Sequence, residues 1–253
     1  MPENLEIVRQ PVPGNMTTDT ATPPDGSGER VPIPTLERLT TYLRCLVEMR
    51  ATEIETVSSA EIERNTGINA AQFRKDLSYF GEFGKPGVGY SVAELENRIS
   101  RILKIHELQP ILLIGAGNLG AALVGYPGLE EHKFNIVAAF DNSPAKIGKR
   151  IGSGMEVLNF ARLGEINAGV SARMAILAVP QNAAQAVADV AIAHGVRAIL
   201  NFAPVLLRVP RHVIVRNVSF LQELAVLSYH LSESTENVHS FNGTKQENED
   251  DGK

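Results

Sequence analysis

The chain has 253 residues, 43% of them hydrophobic, a formal net charge of −5 and a single cysteine, Cys45. That is room for two modest domains with cores of their own, and one cysteine excludes a disulfide framework. No apolar run reaches the ~18 residues of a membrane span, and residues 1–10 lack the basic-then-apolar pattern of a signal peptide, so the expected compartment is the cytoplasm.

The acidity is concentrated at the ends. Residues 1–31 hold five acids and two bases, and residues 233–253 hold six and two, which leaves residues 32–232 a net +2. Within residues 32–90, seven bases face eight acids, so a nucleic-acid footprint there would be a local face and not a general basic field.

Residues 1–31 are rich in Pro, Thr, Gly and Asp with no apolar period, and are expected to be a disordered tail. Order is expected to begin near Pro34-Thr35, with Thr35 as N-cap and Leu36, Leu39, Leu43 and Leu46 at helical spacing. Ser58 and Glu61 form a capping box that opens a second helix, closed by Gly67. Asn69 opens a third helix running to Gly81, with Gln72 in the reciprocal position of the cap. The last two helices and the Thr66-Gly67-Ile68 turn make a helix–turn–helix. The glycines of Gly84-Lys85-Pro86-Gly87-Val88-Gly89-Tyr90 have the spacing of a tight hairpin, a wing.

On the third helix Ala70, Phe73, Leu77 and Phe80 mark the buried stripe, so Ala71, Gln72, Arg74, Lys75 and Ser78 point outward. Gln and Arg are donors suited to base edges in the major groove, while Lys75 and Ser78 suit bases or phosphates. Lys85 and Gly87 in the wing and Arg38 at the start of the first helix complete the expected DNA-binding set.

Ser91 and Glu94 form a further capping box, and Val92, Leu95, Ile99 and Ile102 continue it as an amphipathic linker helix that ends before Pro110. A different rhythm follows. Apolar strands at 111–114, 136–140, 175–179, 198–201 and 213–216 alternate with helical stretches, the pattern of a parallel sheet. A final helix from about Phe220 to Leu231 has Leu221, Leu224 and Leu231 on one stripe. The expected architecture is α/β: a tail (1–31), a winged helix–turn–helix domain (32–90), a linker helix (91–109), a Rossmann-like parallel-sheet domain (110–218), a C-terminal helix (219–232) and an acidic tail (233–253).

The first strand runs into Gly115-Ala116-Gly117-Asn118-Leu119-Gly120, and a helix follows. That context, more than the glycines alone, marks a dinucleotide site: Gly115 permits the tight turn, Gly117 a close approach to pyrophosphate, and Gly120 helix-on-strand packing. Asp141 closes the second strand 21 residues after Gly120, near the offset of a ribose-binding acid. Its carboxylate favours NAD over NADP, while Lys146, Lys149 and Arg150 downstream act against that preference. No His–Asp or Tyr–Lys pair is placed for hydride-transfer chemistry, and the histidines (106, 132, 194, 212, 230, 239) show no metal spacing. The expectation is binding without turnover and without a metal. A dehydrogenase with an accessory N-terminal domain, or a relative binding another nucleotide such as CoA, are the alternatives.

The chain resembles the family of redox-sensing transcriptional repressors called Rex. The resemblance rests on Arg74-Lys75-Asp76-Leu77-Ser78-Tyr79-Phe80-Gly81, on Gly87-Val88-Gly89-Tyr90, on Gly115 to Gly120 with Tyr126-Pro127, and on Ile199-Leu200-Asn201-Phe202-Ala203-Pro204. It implies a homodimer that binds a pseudo-palindromic operator, is released by NADH and tolerates NAD⁺. It also implies a C-terminal helix exchanged between subunits, and a nicotinamide pocket made by Tyr126 and by Phe220 reaching the partner's cofactor. Val179, Pro180, Asn201, Phe202, Ala203 and Pro204 are further cofactor contacts on the same ground, and Arg44 joins a network between the two domains with Tyr126. One departure stands out. The family commonly has an aspartate where this chain has Ser219, and a serine lacks the charge to pair with Arg44.

Overall fold

The computed structural model describes residues 20–21, 31–84 and 88–242. The N-terminal head begins with a two-residue strand β1 (Thr20–Ala21) antiparallel to β2 (Val31–Pro32), followed by α1 (Ile33–Ala51). Pro32 occupies the N-cap, so Thr35 lies inside the first turn and not at the cap. Pro34 explains the shift, because a proline costs nothing in a first turn whose amides have no intrahelical acceptor. Next come β3 (Thr56–Val57), α2 (Ser59–Thr66), α3 (Ala70–Ser78), β4 (Tyr90–Ser91) and α4 (Val92–Ile102). The Ser58–Glu61 capping box forms in full, and Gly67 ends α2. Asn69 caps α3 through the Ala71 amide, but Gln72 turns away to Asp76, and the helix stops at Ser78, short of Gly81. At α4 Ser91 accepts from the Glu94 amide, the forward half of a box.

β3 and β4 pair antiparallel with Val57 opposite Tyr90, so the strand that follows the expected wing is held, among the described residues, by the segment before α2 and not by a second wing strand. Phe73, fully buried, makes edge-to-face contacts with Tyr42 (4.9 Å, 88°) and Tyr90 (5.3 Å, 81°), so one ring ties α1, α3 and β4 together. Leu39, Leu46, Ile62, Leu95 and Ile99 fill the rest of this core. Lys85 and Gly87, two of the expected DNA contacts, lie outside the described residues, as do residues 1–19, 22–30 and 243–253 of the expected tails.

The second domain runs β5 (Gln109–Ile114), α5 (Asn118–Val124), α6 (Pro127–Glu131), β6 (Phe134–Asp141), β7 (Arg150–Ile151), β8 (Met155–Asn159), a 3-10 turn, α7 (Leu163–Val170), β9 (Met174–Leu177), α8 (Gln181–Ala193), β10 (Ala198–Asn201), β11 (Ile214–Asn217) and α9 (Phe220–Asn242). The sheet order is β11-β10-β9-β5-β6-β8-β7, parallel except for β7 on β8. Taken in chain order from β5, the six parallel strands follow the doubly wound order 3-2-1-4-5-6, and the order reverses between β5 and β9. One face packs Leu112, Phe140, Leu177 and Ile199 against α7 and α8, and the other packs Leu113, Ile136, Ala139 and Ile176 near α5 and α6. β7 and β8 are absent from the sequence expectation. They are short, and of their side chains Val157 alone is fully covered. The C-terminal helix continues past Leu231 to Asn242.

Candidate functional site

At the point where the strand order reverses, the chain leaves β5 through Gly115, whose φ of +104° suits a residue without a side chain. A Cβ on Gly115 would lie 2.3 Å from the Ala178 carbonyl oxygen, and one on Gly120 would lie 2.1 Å from that of Gly115. These two glycines let the turn and α5 close on the sheet. Gly117 differs: a Cβ there would meet nothing within 4 Å. Its bareness therefore serves no packing need and leaves room for something outside the chain. Asn118 and Leu119, exposed in the first turn of α5, carry amides with no acceptor inside their own helix. Such amides suit an anion.

The cleft opening there has a volume of about 390 Å³ and is lined by Gly115, Gly117, Asp141, Phe160, Val179 and Pro180, among others. Ala116 is buried and turns its amide to Asp141. The Asp141 carboxylate accepts from Ala116 N (2.9 Å) and Lys146 Nζ (2.9 Å) on Oδ2, and from Ser143 N (2.8 Å) on Oδ1. Burial alone would raise its pKa. The Lys146 ammonium and the two amides outweigh that and hold the carboxyl below its usual range. The residues present fit a dinucleotide: a bare glycine at the strand–helix turn, free amides beside it, and an ionised carboxylate at the tip of the next strand.

The other expected cofactor residues divide. Asn201 is fully buried and does not face the cleft: its Nδ2 donates to the carbonyls of Ala203 and Val205 and to Asn217 Oδ1, and its Oδ1 accepts the Ala203 amide. It shapes the loop that carries buried Ala203 and exposed Pro204. Phe202 sits 6.5 Å, ring to ring, from Phe220 of the same chain. Phe220 at the start of α9 and Tyr126 before α6 are 65% and 60% exposed. Of the three cations expected to act against the Asp141 preference, Lys146 is the one bonded to that carboxylate, and Phe160 on the cleft wall is missing from the sequence expectation. Phe160 follows β8, the strand that the apolar pattern does not reveal.

The head holds a second constellation. Asp76, on the inner side of α3 and fully buried, accepts Arg38 Nε and Nη2 (2.6 Å each), Tyr42 Oη (2.8 Å), Gln72 Nε2 (2.8 Å) and Thr35 Oγ1 (3.2 Å). Arg38 and Gln72, expected to face DNA, are thus turned inward. A carboxylate in an apolar core needs a cation and donors around it, and this requirement overrides the outward helical phase of Gln72 and the DNA contact expected of Arg38. Burial would raise the Asp76 pKa, but the hydrogen bonds from Arg38, Tyr42 and Gln72 leave it lowered; burial first, and then Asp76, raise that of Tyr42.

Ala71, Arg74, Lys75 and Ser78 remain exposed, at i, i+3, i+4 and i+7 on the face of α3 opposite Phe73 and Leu77. Arg74 Nη1 donates to Ser59 Oγ (2.7 Å), which joins this face to the start of α2. Arg44 is exposed on α1. Ser219 caps α9, its hydroxyl accepting the Gln222 amide at 3.3 Å. Among the described residues no group of His, Cys, Asp and Glu is arranged to hold a metal, and no helix is long and apolar enough to cross a membrane.

A helix–turn–helix head on a doubly wound sheet with an open dinucleotide cleft defines the class of two-domain proteins that join a nucleic-acid reader to a nucleotide sensor. Residues 30–78 match the family described as the putative DNA-binding protein N-terminus, and residues 106–205 match the one described as a CoA binding domain. The chain is 50% identical over 202 residues to the redox-sensing transcriptional repressor Rex of Pelotomaculum thermopropionicum, covering 80% of this chain and 94% of that protein. It is 44% identical to that of Desulfitobacterium hafniense, covering 80% and 96%. Among solved structures it is similar to RSP, a Rex-family repressor, in complex with β-NAD⁺ and operator DNA (TM-score 0.77, 35% identity, 85% of this chain and 99% of that one). It is also similar to RSP in complex with β-NADH (TM-score 0.73, 35% identity, 81% and 96%). The chain belongs to the Rex family of redox-sensing transcriptional repressors.

Proposed function

We propose that this chain is a redox-sensing repressor that works in the cytoplasm, binds a pseudo-palindromic operator as a homodimer and leaves it when NADH fills the cleft at Gly117. The observation that carries this reading is the union, in one chain, of an exposed Ala71-Arg74-Lys75-Ser78 face and a cleft whose central glycine is bare for no internal reason. The relatives bear the name of a transcriptional repressor and not of an enzyme, in keeping with binding that leads to no turnover.

The bound cofactor supplies the signal, because reduction removes the positive charge of the nicotinamide ring. Everything else falls to the protein. Gly117 and the first amides of α5 take the pyrophosphate, and Asp141 the adenosine ribose. Val179 and Pro180 wall the cleft, and the Phe202–Pro204 loop, Tyr126 and Phe220 are assigned to the nicotinamide end on the family resemblance. An aromatic, water-poor niche favours a neutral ring over a cationic one. That difference in affinity between two arrangements of the dimer is what can move the heads relative to successive major grooves; equal affinity for both would move nothing. The stripe of Phe220, Leu221, Leu224, Leu227 and Leu231 stands exposed on α9 and supports a second protomer as its cover. Arg74 and Lys75 read or hold the groove, Lys85 and Gly87 remain in the DNA-binding set on the strength of the sequence, and Arg44 and Ser219 are assigned to the signalling between head and sheet on the family resemblance.

The test is fluorescence anisotropy on an inverted-repeat operator titrated with each cofactor. Release by NADH at concentrations where NAD⁺ leaves the complex intact is the expected result, and release by both alike overturns the redox reading. The match of residues 106–205 to a CoA binding domain favours a second reading, a CoA-type ligand. Calorimetry with NADH and CoA separates the two.

A further inference from the structure

α4 is fixed to the head by Val92, Leu95 and Ile99, which are buried in the same core as Leu39, Leu46 and Ile62. Arg98, half-buried on that helix, turns to the segment that leaves α3. Its guanidinium carbon lies 3.7 Å from the centre of the Phe83 ring, and its Nη1 donates to the Glu82 carbonyl oxygen at 2.7 Å. Its Nη2 lies 3.9 Å from where a Cβ on Gly81 would stand. One side chain thus covers three consecutive residues.

Those residues have little else to fix them. Among the described residues no backbone–backbone hydrogen bond reaches residues 81–84, although Phe83 packs at the edge of the head core. A stretch without ladder or turn bonds takes its place from side chains. A guanidinium stacked on a ring and bonded through its edge sets a plane as well as a distance. At the far end of the segment, a Cβ on Gly84 would lie 2.7 Å from the Gly89 carbonyl oxygen and 2.8 Å from Cδ1 of Tyr90. Tyr90 in turn packs on Phe73 of α3. The place of residues 81–84 therefore bears on both parts of the expected DNA-binding set, the exposed face of α3 before them and the expected wing after them.

We propose that Arg98 is a positioning residue for operator binding: it holds Glu82 and Phe83 against α4, and so sets where α3 ends and where the expected wing departs, without itself touching DNA. The proposal deepens the reading of the head as a DNA reader and rests on it. Arg98 acts through the shape of its guanidinium and not through its charge. A lysine, which has the charge but neither the plane nor the fork, does not replace it.

The experiment is fluorescence anisotropy of the full-length chain on an inverted-repeat duplex that the wild type selects from a randomised pool. Arg98→Ala, Arg98→Lys, Phe83→Leu and the Arg98→Ala/Phe83→Leu pair are titrated beside the wild type at several salt concentrations, with thermal melts as the control on folding. Arg98→Ala should weaken binding by roughly three- to tenfold, and Arg98→Lys by nearly as much. The slope of log affinity against log salt should stay at the wild-type value, since no phosphate contact is lost. The double variant should lose less than the product of the two single losses, because both remove one contact. A slope lower by about one in Arg98→Ala, or full affinity in Arg98→Lys, would make Arg98 a phosphate contact and overturn the proposal. Unchanged affinity in Arg98→Ala overturns it as well, as does a loss that appears only where the melt shows the chain unfolding. If the wild type selects no duplex, the reading of the head itself fails and takes the proposal with it.

Discussion

Arg216 on β11 donates through Nη2 to Glu37 Oε1 on α1 at 2.5 Å, tying the sheet to the head across 179 positions of sequence. Both side chains are more than half exposed, which limits such a pair to about 0–1 kcal/mol and makes it sensitive to salt. Arg216→Ala should therefore lower the unfolding free energy by less than about 1 kcal/mol at low salt and by almost nothing in molar salt. Urea titrations at the two ionic strengths check this. A loss of several kcal/mol would mean that the pair is sheltered in the assembled protein.

The two glycines of the α5 turn should respond in opposite ways. Gly117 has φ −84° and ψ −167° with open space beyond its Cα, so Gly117→Val should fold and melt like the parent while losing NADH, its operator complex deaf to the cofactor. Gly120→Ala would drive a Cβ to 2.1 Å from the Gly115 carbonyl and should cost about 1–3 kcal/mol or more through backbone displacement. Thermal melts beside NADH calorimetry distinguish the variant that loses its ligand from the one that loses its packing.

Asp76 is the buried charge on which α1 and α3 agree. Asp76→Ala leaves Arg38 facing an apolar core and should cost about 3–5 kcal/mol. Its folded pKa lies below the unfolded value near 3.9, so its stabilisation is complete above that value and is lost as pH falls through the folded one. Tyr42 has the opposite sign: its pKa is raised, so its contribution holds below about 10 and disappears as pH climbs through the higher folded value. Comparing Asp76→Asn with the parent across an acid titration should show the gap in stability closing below about pH 4.

Lys75 lies in the middle of the exposed α3 face and touches none of the cleft. Lys75→Ala should weaken operator binding, reduce the slope of log affinity against log salt by about one if it holds a phosphate, and leave NADH affinity alone. Anisotropy at several salt concentrations measures both. An unchanged operator affinity would mean that a different face of the helix meets DNA.

What the sequence made legible depended on how far each signal reached. Gly115 to Gly120 could be read because strand, turn and helix are contiguous and the purpose of each glycine is steric. Asp141 could be read because a fixed offset leads to it. Helical phase taken alone misplaces Gln72, and position at the start of α1 taken alone misplaces Arg38. Asp76 stands between Phe73 and Leu77 on the apolar stripe, and a carboxylate there demands a cation from a neighbouring element. That demand was visible in the sequence and would have pointed to α1. β8 was invisible for a different reason: its five residues bury one side chain completely, so no alternation emerges. Asn201 belongs to a segment that the family resemblance marks for the cofactor, and its side chain braces the loop from beneath.

The bare stripe on α9 has a consequence for how such a sensor behaves when scarce. Leu221 is 78% and Leu224 61% exposed in the lone protomer, and in the proposed homodimer a second copy would bury this apolar face. Folding and assembly are then linked by mass action, and the melting temperature should climb as the sample is made more concentrated. In a cell, a drop in abundance would dissolve the pair and with it the ability to report, whatever the cofactor pool is doing.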